Sequence, residues 1–288
     1  MGRYISNMNT NSYQDNELLL LKQGIAKNHK EFLTAGADTW TIDRDVIVRV
    51  RVWGGGGGGG GRFLGTFNGK VHYIPGAGGG AGGAAEVLLR LRAGTYNITV
   101  GAGGGAGTNS TGSASSPTAG TPGATGGTSS FHTFITCLGG GGGAAASPQA
   151  QILGGNGGTV AYKWKGSNGP LYINGQFGGR GGSFKPGYCV RSNNDGAILG
   201  EYRFGYGSEE GAGESGGFMG YTSDNTLAAQ TYFGGGGGGG YNAPFIYGTH
   251  MSAQGNSGRG VGTGGAGGPA SGGTVWPGNP GAVAIDWN

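Results

Sequence analysis

The sequence predicts a mainly β protein: a β-sandwich-like base with a packed polyglycine-II helix bundle and long loops, plus a short N-terminal α-helix. Three observations lead there. Glycine supplies 76 of the 288 residues. Several segments alternate apolar and polar residues with the period of two that marks a half-buried strand. The glycine runs also keep a fixed relation to those segments. Runs at 54–61, 139–143 and 234–240 follow Trp53, Leu138 and Phe233, and the run at 78–83, with Ala81 among its glycines, precedes another alternating segment.

Composition removes two easy readings. Collagen needs glycine at every third position and far more proline than the 10 residues present. A disordered chain needs low hydrophobicity and high net charge, whereas with glycine set aside about half of the remaining residues are apolar, an ordinary globular share.

Residues 1–36 are poor in glycine, and 15–33 place Leu18, Leu21, Ile25 and Phe32 on one helical stripe. One amphipathic helix is expected there, serving as a cap on the body or as a docking or oligomerisation segment. The glycine-rich domain is then 37–288. In Val46–Trp53, Val48, Val50 and Val52 share one face and Arg49 and Arg51 the other. A second alternation sets Val87, Leu89 and Leu91 against Arg90 and Arg92, and passes through Ala93-Gly94 to Tyr96, Ile98 and Val100, which resembles a hairpin. A strand is expected at 131–138, and a closing strand over Ala282–Trp287 with Val283, Ile285 and Trp287 on one side.

Glycine at strand ends suits an ordered scaffold better than slack linkers, which usually carry serine or charge and join separate domains. Eight residues in the polyproline-II conformation span ~25 Å. Ordering eight glycines costs roughly 4–8 kcal/mol more than ordering eight alanines. Lateral hydrogen bonds worth about 1 kcal/mol net each offset that only if most are made. A bundle of many segments meets the condition, and shorter runs at 101–107, 154–158 and 264–268 can join it.

Between the runs, 108–130 is rich in Ser, Thr and Pro and reads as a passive surface loop. Residues 160–260 interleave Tyr, Phe and Trp with Gly, Ser and Asn, the mixture that loop-built binding surfaces use for large contact area at low entropy cost. The same rings can cap a glycine bundle that has no side-chain core of its own. Tyr206, Tyr221, Tyr241, Tyr247 and Trp164 are the candidate receptor-binding residues.

Other chemistry finds little support. A net charge of +4 with no basic run argues against nucleic acid. Gly213-Glu214-Ser215-Gly216-Gly217 fits the nucleophile-elbow spacing, but a chain this rich in glycine and serine produces about one such match by chance. His29, His72, His132 and His250 show no metal spacing. Glu209, Glu210 and Glu214 read as a solvated loop. No enzymatic activity, cofactor or metal is expected. Cys137 and Cys189 allow one disulfide at most, which fits synthesis in a reducing compartment. The apolar stretch at 18–21 is far short of a signal-peptide core, so an extracellular role is expected without ordinary secretion.

The segments VRVRVWGGGGGGGG, GGAGGAAEVLLRLRAGTYNITVGAGGGAG, GGTSSFHTFITCLGGGGG and the closing GAVAIDWN, in that order, resemble the glycine-rich domain of bacteriophage tail-fibre and other virion proteins. The chain is similar to tail-fibre adhesins of T-even-like phages, which carry glycine helices with variable loops between them. The resemblance implies a virion protein assembled in the host cytoplasm, and a noncovalent adhesin for a bacterial surface receptor, either an outer-membrane protein or a polysaccharide. It would sit with other virion or tail-fibre proteins as a homotrimer or as a cap on a trimer. The alternative expectation is a structural virion component, a capsid decoration or fibre-base protein. Residues 1–36 do not match the attachment domain of those adhesins.

Overall fold

The computed structural model describes residues 20–21, 25–67, 70–74, 76–113, 116–147, 152–163, 170–176, 178, 181, 261–265, 267–268 and 274–288. Among them the protein is mainly β, with almost no helix and two five-stranded antiparallel sheets. The first sheet has the order β1 (Asn28–Phe32), β14 (Ala282–Trp287), β3 (Val46–Trp53), β6 (Ala84–Leu91), β13 (Tyr172–Gln176). The second runs β12 (Val160–Tyr162), β11 (Ile135–Cys137), β10 (Ser129–Phe131), β7 (Gly94–Val100), β2 (Gly36–Ile42). Two small hairpins, β4 (Phe63–Phe67) with β5 (Lys70–Ile74) and β8 (Gly112–Ser113) with β9 (Ser116–Pro117), stand apart from the sheets.

The alternation in β3 explains its place. Val48, Val50 and Val52 are fully buried, while Arg49 and Arg51 lie on the opposite face. Burial of each such valine contributes about 1.5–3 kcal/mol. The closing strand forms as expected but occupies an interior position. Val283 pairs with Val52 and Phe32, and Ile285 with Val50 and Lys30. Val87 and Leu89 of β6 extend the same apolar face, which meets Trp40, Ile98, Val100, Phe131, Ile135 and Cys137 of the second sheet in one shared core.

Three expectations need correction. The stripe expected to be helical through residue 33 is helical at 20–21, but Asn28–Phe32 is a strand. Five backbone positions pair with the C-terminal strand, and Phe32 turns into the core, so tertiary pairing overrides the weak local pattern. The segments on either side of Ala93-Gly94 are not a hairpin: β6 pairs with β3 and β13, and β7 with β10 and β2. The turn therefore carries the chain from one sheet to the other, with the Asp45 carboxylate accepting the Ala93 N–H at 3.0 Å. The strand expected at 131–138 is broken into β10 and β11 by a turn at 132–134, where His132 adopts a left-handed φ of 49°. Both Phe131 and Ile135 thereby reach the core.

Cys137 is buried in that core, its Sγ 3.4 Å from the Val52 carbonyl, and burial pushes its thiol pKa far up. Cys189 lies outside the described residues.

Candidate functional site

The glycine segments stand on one end of the two sheets. From Trp53 the chain enters residues 54–61, which are buried at every position. Successive N–H groups there donate to three antiparallel neighbours in rotation. Gly54, Gly57 and Gly60 bond the carbonyls of Gly83, Gly80 and Ala77; Gly55, Gly58 and Gly61 bond those of Gly127, Ala124 and Thr121; Gly56 and Gly59 bond those of Asn279 and Trp276, all at 2.8–2.9 Å. The carbonyls accept in the same rotation from three parallel neighbours. Gly140, Gly143 and Ala146 donate to Gly55, Gly58 and Gly61; Gly104 and Gly107 to Gly56 and Gly59; Gly265 and Gly268 to Gly57 and Gly60. The neighbours bond one another as well: Gly80 to Gly141, Gly123 to Gly143, Ala124 to Gly105, Gly278 to Gly104, Asn279 to Thr263 and Gly79 to Gly265. Six segments thus close a ring around the central run, each contact repeating every third residue.

The requirement for glycine is steric. A Cβ on Gly56, Gly57 or Gly58 would overlap the carbonyl oxygen of Thr263, Gly141 or Gly105. Peripheral segments show the same repeat in their burial. Residues 101, 104 and 107, then 140, 143 and 146, then 152, 155 and 158 are buried, while Ala102, Leu138, Leu153 and Pro122 point outward. Residues 121–127, expected to belong to a passive loop, are therefore part of the array. Its Gly123 and Gly126 face the carbonyls of Gly58 and Gly55, and its side chains face out.

At the end away from the sheets the array leads into the described segments 62–67 and 108–113. These two are fastened together. Asn109 Oδ1 accepts the Arg62 N–H at 3.0 Å, buried Ser110 Oγ accepts the Leu64 N–H at 2.8 Å, and the Ser110 N–H returns to the Arg62 carbonyl. Nothing in the serine and threonine content of 108–120 marks this tie, although a glycine at every third position (120, 123, 126) does mark the segment that follows it. Among the described residues the far end of the array thus carries one tie, between 62–64 and 109–110, on a backbone-bonded support.

Of the candidate receptor-binding residues, Tyr206, Tyr221, Tyr241, Tyr247 and Trp164 all lie outside the described residues. Tyr162, from the same aromatic stretch, is half-buried against the core beside Ile135. Burial, and secondarily the neighbouring Cys137, push its phenol up to about 12. Its role is thus to close the core. A second aromatic group lies at the end of the sheets away from the array. Tyr96 stacks on Phe131 at 5.8 Å, Trp40 meets Trp287 edge-on at 5.1 Å, and His132 and Phe134 are 5.0 Å apart. Trp40 and Phe131 are buried, so this grouping also packs the core. Among the described residues no three His, Cys, Asp or Glu side chains are grouped to hold a metal ion.

Two antiparallel sheets continued into laterally bonded glycine segments define a glycine-rich β protein, in which backbone contacts do what side chains do elsewhere. The chain belongs to the glycine-rich domain family, whose model matches residues 33–288. A search of the curated proteins finds no match.

Proposed function

We propose that the chain is a bacteriophage tail-fibre or tail-tip adhesin. In this reading a β-sandwich base joins the particle, the glycine segments are polyglycine-II helices packed into a rigid core, and aromatic loops within 160–260 bind a bacterial surface receptor noncovalently. The observation that carries it is the three-residue repeat of lateral hydrogen bonds around residues 54–61. Polyglycine-II packing has that repeat, because a chain with three residues per turn turns its peptide groups to three sides in succession. Such a support fixes loops without offering side-chain chemistry of its own. Recognition then falls to the loops, where Tyr206, Tyr221, Tyr241, Tyr247 and Trp164 supply large rigid contact area. The receptor would be an outer-membrane protein or a polysaccharide, and the adhesin would act as a homotrimer or as a cap on a trimer.

Exchanging residues 160–260 for the corresponding loops of a relative tests this reading. The exchange is expected to redirect adsorption of the particle to the relative's host while the base still assembles. Unchanged host range on correctly assembled particles would contradict it and point to a structural virion component instead.

A further inference from the structure

The outer face of the first sheet carries a band of charges that the adhesin reading does not use. Arg49 Nη2 donates to Glu86 Oε2 at 2.9 Å, and Arg51 Nη2 to Asp286 Oδ2 at 3.1 Å. The other Asp286 oxygen, Oδ1, lies 2.5 Å from Nδ1 of His29, and Nε2 of the same ring lies 2.9 Å from Glu31 Oε1. Each ring nitrogen thus faces a carboxylate oxygen. An ionised carboxylate only accepts, and a neutral imidazole has a single N–H, so the two contacts are both made only by the imidazolium. With the ring charged, His29, Arg49 and Arg51 balance Glu31, Glu86 and Asp286. With it neutral, the band carries one uncompensated negative charge and a lone pair aimed at a carboxylate.

Among the described residues, the strand that bears His29 is paired along one edge. β1 is an edge strand whose described backbone partner is β14 alone, and Phe32 is its one buried residue. Lys30 lies on the other face, over the Phe32 ring, and the Lys27 N–H reaches Asn288 Oδ1 at 3.0 Å. The chain just before β1 matters too: Leu21 is fully buried on Ile47 and Leu88, with Ala26 beside them.

We propose that His29 works as a proton-operated clasp, holding β1 against β14 while its ring is charged and loosening it when the ring is neutral. The hydrogen bond to Asp286 is the largest influence on the ring and raises its pKa above the ordinary 6.5; partial burial opposes this, and Glu31 adds to it. A group whose folded-state pKa is raised stabilises in full below its unfolded value, and that stabilisation is lost as the pH rises through the folded value. The clasp is therefore closed in mild acid and opens as the pH rises through the raised midpoint of the ring, uncovering the β14 edge and slackening the tether of Leu21.

Proton NMR of the His29 ring and amide hydrogen exchange of residues 28–32, corrected for intrinsic rates and referred to β3, test this on the whole chain between pH 5.5 and 8.5. The expected results are a ring midpoint above 6.5 and protection of β1 that falls roughly threefold to tenfold across the range while β3 is unchanged. His29→Gln, which can donate to Asp286 but does not titrate, is expected to make β1 protection independent of pH. Glu31→Gln, which leaves the strand pairing intact, is expected to lower the midpoint. A midpoint at or below 6.5, or β1 protection that is flat with pH in the wild type, overturns the proposal.

Discussion

Gly57→Ala is expected to lower the free energy of unfolding by about 3 kcal/mol or more, among the largest effects of a single methyl group. The residue lies in the middle of the central run, where its N–H donates to the Gly80 carbonyl and its own carbonyl accepts from Gly265, both at 2.8 Å. A methyl group there would overlap the Gly141 carbonyl, which is backbone and already hydrogen-bonded to the Gly80 N–H. Relief requires moving one segment away from the other, and the movement stretches bonds in several columns together. Gly105→Ala is the matched control. Its methyl meets nothing within 4 Å, its carbonyl keeps the bond from Ala124, and its effect is expected to stay within about 0.5 kcal/mol. Denaturant unfolding of the two variants beside the wild type measures the difference. Equal stabilities would mean that the glycines are not close-packed.

Deleting residues 282–288 is expected to abolish cooperative folding. β14 sits between β1 and β3, so its loss leaves β1 without a described partner and turns β3 into an edge. It also removes Val283 and Ile285, both fully buried in the shared core. Large-to-small substitution at one such site costs about 2–4 kcal/mol, and a whole domain has only about 5–15 kcal/mol to lose. Ile285→Ala, which keeps the strand, is expected to lower stability by about 2–4 kcal/mol and retain a single transition. A truncated chain that still melts cooperatively near the wild-type temperature would contradict the central placement of this strand.

The parts of the fold legible in the sequence are those whose information lies in side chains. Val46–Trp53 and Ala282–Trp287 alternate strongly, and both form where expected. Which strands they pair with was not legible, because alternation gives a face and not a neighbour. β6 and β7 illustrate this: they follow one another closely and lie in different sheets. The turn at 132–134 carries no glycine, proline or asparagine; the left-handed His132 and the bond from the Phe134 N–H to the Phe131 carbonyl mark it in the structure. β1 has a single buried residue and depends on a partner more than 250 positions away in the chain.

The glycine array was legible in outline and not in detail. Runs that begin at strand ends indicate an ordered scaffold, but glycine has no side chain to say which run lies beside which. Register comes from the strands that deliver each segment to the array, as with Trp53 and Ala84, paired in the sheet just before Gly54 meets Gly83. Spacing was the signal available for the less obvious members: Gly120, Gly123 and Gly126 recur at three, whereas a search for unbroken runs passes over them. The recognition residues proposed from composition, Tyr206, Tyr221, Tyr241, Tyr247 and Trp164, rest on that composition alone.

Lateral hydrogen bonds make the glycine segments an ordered core. Amide hydrogen exchange at residues 55–60, resolved by NMR, tests this most directly. Protection factors of the same order as those of Val50 and Val52 in β3, lost in the same global transition, are the predicted result. Exchange of these glycines at the rate of an unstructured chain while β3 stays protected would contradict it.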